Sequence, residues 1–263
     1  MPPYLPYLVL FGVGLVSGTL NVIAGGGSFL SLPVLIFLGL PPTLANGTNR
    51  VGIFLQNLGA VWGFHRHGVL DWRWVLWGAL PAAAGAVVGT WAALLVGDQA
   101  FKTILAALMI TLTLWTLWDP LKRRQERAAG QGQGQDRAQG QPPPARPRRL
   151  ALGFGFLLVG AYGGFVQAGV GFLVLAATTL AGLDLVRGNA VKVLSILAFT
   201  VISLAIFAYS GNVDWPLGLA LAAGSLLGGQ LGVRLTILKG HAWIRVVVTV
   251  AVIVFAVKLL LPG

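Results

Sequence analysis

Asn46, Asn49, Arg50, Gln56 and Asn57 stand close together in an otherwise apolar run, "LANGTNRVGIFLQNLGAVWGF". A second run, "GNAVKVLSILAFTVISLAIF", carries Asn189, Lys192, Thr200 and Ser203. At about 100° per residue, each set falls within about 80° of its leading asparagine. Each run is therefore a helix with one polar stripe, and lipid is not what that stripe faces. Amides and a cation make up the first stripe, an amide, a cation and two hydroxyls the second, and neither contains a carboxylate. Arg50 and Lys192 each lie about one turn inside. Basic residues there are expensive and mark a ligand or a pathway. The competing reading is that both snorkel to the interface along their apolar stems.

Two glycine clusters offer a second kind of chemistry. "AGGGSF" holds Gly25, Gly26, Gly27 and Ser28, and "QAGVGF" holds Gln167, Gly169 and Gly171. Glycine weakens a helix by about 1 kcal/mol relative to alanine. Breaks inside hydrocarbon free backbone N–H groups, which must be paired by protein, water or ligand. A helix restarting directly after each break would present N–H groups and the positive end of its dipole to an anion. The bland alternative is that these glycines only permit a tight turn or close packing.

The elements that position these residues follow from composition. The chain has 263 residues, of which 56% are hydrophobic and 10% charged. Its mean hydropathy of +0.82 marks a polytopic membrane protein. The N-terminal run has no basic residues ahead of it and reads as a first span rather than a cleaved signal. There is no cysteine, so thiol and disulfide chemistry is excluded. The carboxylates are Asp71, Asp98, Asp119, Glu126, Asp136, Asp184 and Asp214. None falls mid-helix, so a buried cation site or carboxylate proton relay has no support. The fitting substrate is a small anion. The net charge of +11 does not imply nucleic acid, because much of it lies in one segment. Residues 119–149, rich in Gln, Gly, Pro and Arg, carry eight basic against three acidic residues. This segment reads as a disordered cytoplasmic loop, and its charge as a topology signal.

The flanks of that loop are copies of each other. Position n matches position n + 143 without gaps from Phe11/Phe154 to Leu117/Leu260. Pairs include Gly26/Gly169, Phe29/Phe172, Asn46/Asn189, Gly68/Gly211, Asp71/Asp214 and Trp72/Trp215. The expected fold is all-α, with two repeats (1–118 and 150–263) of about five helical segments each. In the first they are Leu5–Ile23, Ser28–Leu40, Leu44–Phe64, Trp72–Val96 and Phe101–Trp118. In the second they are Leu150–Val166, Gly171–Leu183, Gly188–Tyr209, Trp215–Leu235 and Trp243–Leu261. The second segment of each half is too short for a span of about 20 residues. Segments one and two therefore return the chain to its starting side. Three crossings remain, so each half has odd parity and the halves are inverted. Loop charge agrees. With the basic loop inside, Arg66, Arg73, Arg234, Lys239 and Arg245 become cytoplasmic, and their counterparts across the repeat carry Lys102 alone. Inverted repeats with interrupted helices belong to secondary transporters that bind at the repeat interface.

Other features weigh less. His65 and His67 have too few partners for a metal site. Gly85 and Gly89, and Gly224, Gly228 and Gly232, form small-residue faces that read as packing seams or a homodimer face. Trp72, Trp74, Trp77, Trp115, Trp118, Trp215 and Trp243 read as interfacial anchors. No Ser/His, paired-Asp or zinc-ligand constellation lies within the spans, so an enzyme is not expected. No cofactor is called for.

"GLVSGTLNVIAGGGSFLSLPVL", "GLPPTLANGTN" and "HGVLDW" resemble the first half of the sulfite exporter TauE/SafE family. "GAYGGFVQAGVGFLVLA", "VRGNAVKVL" and "GNVDW" resemble its second half. The resemblance spans the chain except the central loop. It implies export of sulfite, sulfoacetate or a related organosulfur anion across the bacterial inner membrane. The candidate ligands are then Gly25, Gly26, Gly27, Ser28, Asn46, Asn49, Arg50, Asn57, Gln167, Gly169, Gly171, Asn189 and Lys192. The alternatives are a permease or channel for another small solute, and a non-transporting membrane scaffold.

Overall fold

The computed structural model describes residues 2–23, 25–70, 72–118, 149–180, 183 and 185–238. These form α1 (Leu5–Ile23), α2 (Ser28–Phe37), α3 (Pro42–Arg66), α4 (Trp72–Leu95) and α5 (Asp98–Trp118). After the central segment come α6 (Arg149–Phe165), α7 (Val170–Leu180), α8 (Leu185–Tyr209) and α9 (Trp215–Leu238). The described residues contain helix and turns, with no strand. The central basic loop and the expected last span, Trp243–Leu261, lie outside them.

Helix lengths follow the segments read from hydropathy. Residues 5–23, 78–95, 186–209 and 215–238 are long and apolar enough to cross a bilayer. By contrast, α2 has 10 residues and α7 has 11. At about 1.5 Å per residue, each reaches about half of a 30 Å hydrocarbon core. Helix α3 is long at 25 residues, and its polar stripe faces the protein interior.

Packing pairs the two halves. Helix α1 lies on α9, and its counterpart α6 lies on α4. Helix α3 also contacts α9, as α8 contacts α4, and α3 meets α8 between them. Two three-helix groups result, α1/α3/α9 and α4/α6/α8, each built from both halves. Gly224 backs onto Phe11, Gly228 onto Leu15 and Gly232 onto Val22, so α1 and α9 run parallel. Gly85 and Gly89 back onto Leu157 and Ala161 in the same way. The small-residue faces are thus seams inside the bundle, where a Cβ would collide with a neighbouring carbonyl.

The equivalent helices α3 and α8 run in opposite directions. Gly47 meets Phe207 and Asn212, Ile53 packs with Phe199, and Phe64 packs with Ala190. The turns that reverse the chain, α3 to α4 and α8 to α9, pass through Gly68 at φ 67° and Gly211 at φ 71°. These are the left-handed values that glycine adopts at least cost. Exposed Arg66, Arg187 and Arg234 fall at one end of the α3/α8/α9 bundle. At the opposite end Asp214 N–H donates to Thr48 Oγ1, and Asp98 accepts from Thr43 N–H and Oγ1.

Candidate functional site

The two interruptions, between Ile23 and Ser28 and between Phe165 and Val170, meet in space. Gly25 has φ 90° and Gly169 φ 74°, conformations that glycine makes accessible. A Cβ on Gly25 would strike the backbone of Gly171, and a Cβ on Gly171 would strike Gly25. The breaks therefore touch backbone to backbone. Just beyond them Phe29 and Phe172 stack with centroids 6.3 Å apart.

Each break exposes the carbonyl end of one helix, and a basic side chain from the other half covers it. Lys192 Nζ donates to Asn21 O at 2.9 Å, Val22 O at 2.7 Å and Asn189 Oδ1 at 2.6 Å. Arg50 donates through Nη1 to Gly163 O at 3.1 Å and through Nη2 to Gly164 O at 2.6 Å. Asn46 Nδ2 completes that cap by donating to Phe165 O at 2.8 Å. Asn21 and Gly164 are equivalent across the repeat, so the two caps are symmetric in what they cover. Cations at helix C-termini oppose the negative dipole end and pair otherwise orphaned carbonyls. Arg50 and Lys192 are both 0% exposed. Snorkelling is overturned: the carbonyls freed by each break attract the charge inward more effectively than a distant interface does.

The N–H ends remain open. Helix α2 begins with Phe29 N–H donating to Gly26 O at 3.1 Å and Leu30 N–H to Gly27 O at 2.9 Å. Helix α7 begins with Phe172 N–H donating to Gly169 O at 3.1 Å. Among the described residues the N–H groups of Gly26 and Gly27 have no acceptor, and neither do those of Ala168 and Gly169. Gly27, the N-cap of α2, has no side-chain cap. Beside this turn, Asn49 Oδ1 accepts from Ser31 Oγ at 2.6 Å. The Asn49 Nδ2 has no partner although the residue is buried.

The remaining stripe residues divide. Gln167 accepts from Arg50 Nη1 at 3.0 Å and donates to Thr200 Oγ1. Asn21 Nδ2 donates to Gln56 Oε1 at 3.3 Å. Asn57 instead donates back to Ile53 O of its own helix and has no hydrogen bond to either break. Three contributors escaped the sequence reading. Ser31 holds Asn49. Thr90 Oγ1 lies within hydrogen-bond distance of Gly164 O at 3.2 Å and Ser203 Oγ at 2.9 Å. Phe207 lies under the Arg50 guanidinium at 4.7 Å, a cation–π contact. Thr90 carried a faint signal as a lone polar residue in an apolar stretch. Ser31 and Phe207 carried none, since their roles depend on which helices adjoin. His67 Nδ1–H donates to Gly63 O at 2.8 Å at the end of α3, far along that helix from the breaks.

The TauE model, "Sulfite exporter TauE/SafE", matches residues 10–259. A probable membrane transporter protein of Haemophilus influenzae is 28% identical, over 95% of this chain and 93% of that protein. Probable membrane transporter protein YfcA of Escherichia coli K12 is 30% identical, over 96% of this chain and 88% of its own length. Probable membrane transporter protein YunE of Bacillus subtilis is 24% identical, with 98% of each chain covered. No solved structure matches. A multi-pass helical bundle whose match runs through both breaks and both polar helices belongs to the sulfite exporter TauE/SafE family of membrane transporters.

Proposed function

We propose that the protein exports a small sulfur-containing oxyanion, such as sulfite or sulfoacetate, across the bacterial inner membrane by alternating access. One observation carries the reading: two helix breaks in contact, with their carbonyl ends neutralised by Lys192 and Arg50 and their glycine N–H groups without an acceptor among the described residues. Such an array has donors in excess. Oxygens of a small anion satisfy them, and a metal cation does not. The described carboxylates, Asp98 and Asp214, stand at helix starts and make their hydrogen bonds there rather than to the breaks. The family match supports a sulfur oxyanion as the cargo.

The two three-helix groups supply the moving parts. They adjoin along the α3/α8 contact, where Ile53 packs with Ile196 and Phe199, and Ala60 and Phe64 with Ala190 and Val193. Rocking about this apolar seam would open the breaks to one side and then the other. The test is uptake and counterflow of labelled sulfite in proteoliposomes. Saturable flux accelerated by trans substrate is expected. Flux that shows no trans-acceleration would indicate a channel, and no flux of any sulfur oxyanion would sink the proposal.

A further inference from the structure

Sequence symmetry implies two equivalent anion sites, one at each break. The side chains beside the breaks are not equivalent. Asn49 in the first half corresponds to Lys192 in the second, and Ser31 corresponds to Val174. Ser31 Oγ holds Asn49 Oδ1 at 2.6 Å. Because the amide is planar, Nδ2 is kept beside the first turn of α2; it has no partner, and Asn49 is 1% exposed. Lys192 is turned the other way. Its three acceptors, Asn21 O, Val22 O and Asn189 Oδ1, match the three N–H bonds of an ammonium. Val174 has no donor. Among the described residues the buried side-chain nitrogens without a partner are Asn49 Nδ2 and Arg50 Nε, consecutive positions on α3. An unpaired buried donor costs stability, and a ligand oxygen would relieve it.

Resting on the anion reading above, we propose that the chain binds one oxyanion, at the start of α2, with Asn49 as the residue that selects it. The glycine N–H groups of 26 and 27 meet one oxygen face, and Asn49 Nδ2 donates to a further oxygen. The break before α7 is the structural counterpart: it supplies the backbone surface against which Gly25 sits and holds no anion of its own. Lys192 and Arg50 are positioning residues that keep the two helix ends in place. The ligand class is a compact anion with at least two terminal oxygens, so chloride is a poor fit.

Titration calorimetry on the purified full chain, with sulfite as probe and chloride and acetate as comparisons, tests this. The wild type is expected to bind one sulfite per chain. Asn49→Asp keeps the shape and the Ser31 bond but replaces the free donor with an acceptor. It should weaken sulfite binding by at least about 10-fold, the scale of one charge-assisted hydrogen bond. Ser31→Ala, which frees the amide to rotate, should weaken it several-fold. Ser195→Ala deletes an unpaired buried hydroxyl on α8 and should leave affinity unchanged. If Asn49→Asp does not fold, Ser31→Ala reads the same geometry. Two sulfites per chain, or wild-type affinity in both α2-side variants, overturns the single-site proposal while leaving anion transport standing. A wild type that binds no sulfur oxyanion overturns both.

Discussion

Lys192 is a buried charge whose hydrogen-bond partners are all protein oxygens. Its ammonium is surrounded by two main-chain carbonyls and an amide oxygen. Lys192→Met removes the donor and leaves those oxygens buried and unpaired, at about 1–3 kcal/mol for each group stranded. A thermal melt should drop by several degrees even without anion present. A residue acting only as a substrate ligand would instead leave the unliganded melt unchanged or raised. Arg50→Lys should also destabilise, because a point charge does not reproduce the fork that reaches Gly163 O and Gly164 O together. Gln167, which bridges Arg50 to Thr200, couples that fork to α8.

At the scale of elements, glycine positions separate cleanly by what surrounds them. Gly12 and Gly155 are repeat equivalents on α1 and α6, and a Cβ at either meets nothing within 4 Å. Alanine there should stabilise by up to about 1 kcal/mol through helix propensity alone. Gly14, two residues on, faces Leu221 O and the Ser225 backbone of α9. Gly14→Ala should destabilise, because the α1/α9 seam must separate to admit the methyl group. Opposite signs for Gly12→Ala and Gly14→Ala in chemical or thermal unfolding are the expected outcome. Helices α2 and α7 each start at a glycine break, and at 10 and 11 residues neither is long enough to span the core.

For the whole molecule, the charge arrangement sets an orientation. Arg66, Arg187 and Arg234 lie at one end, and the Tyr209–Asp214 turn lies at the other. By the positive-inside rule the arginines are expected on the cytoplasmic side. Because the chain has no cysteine, single cysteines report topology without background. Tyr209→Cys, at a site 91% exposed, should react with a membrane-impermeant maleimide in intact cells. Arg66→Cys and Arg234→Cys should react only after permeabilisation. Labelling at all three from outside would contradict the inverted arrangement of the halves.

Much of this was legible in sequence because hydrocarbon allows few structures. Apolar runs of about 20 residues must be helices there, so hydropathy located the described spans to within a few residues. The 143-residue register then paired the halves, and loop charge suggested their inversion. Periodicity placed Asn46, Asn49, Arg50, Asn189 and Lys192 on inward faces, since the angular position of a side chain on a helix depends on local geometry alone. What each face meets depends on long-range packing, which no local pattern encodes. The tertiary structure decided that α1 lies on α9 and α6 on α4. It also decided that Lys192 and Arg50 cap the opposite half's broken helix, and that Asn49 is left with a free donor. Amino-acid identity thus pointed to two helix breaks and put one basic residue inside each third helix of the repeat. Only the fold decided that the charges answer the carbonyl ends of those breaks and leave the N–H ends open.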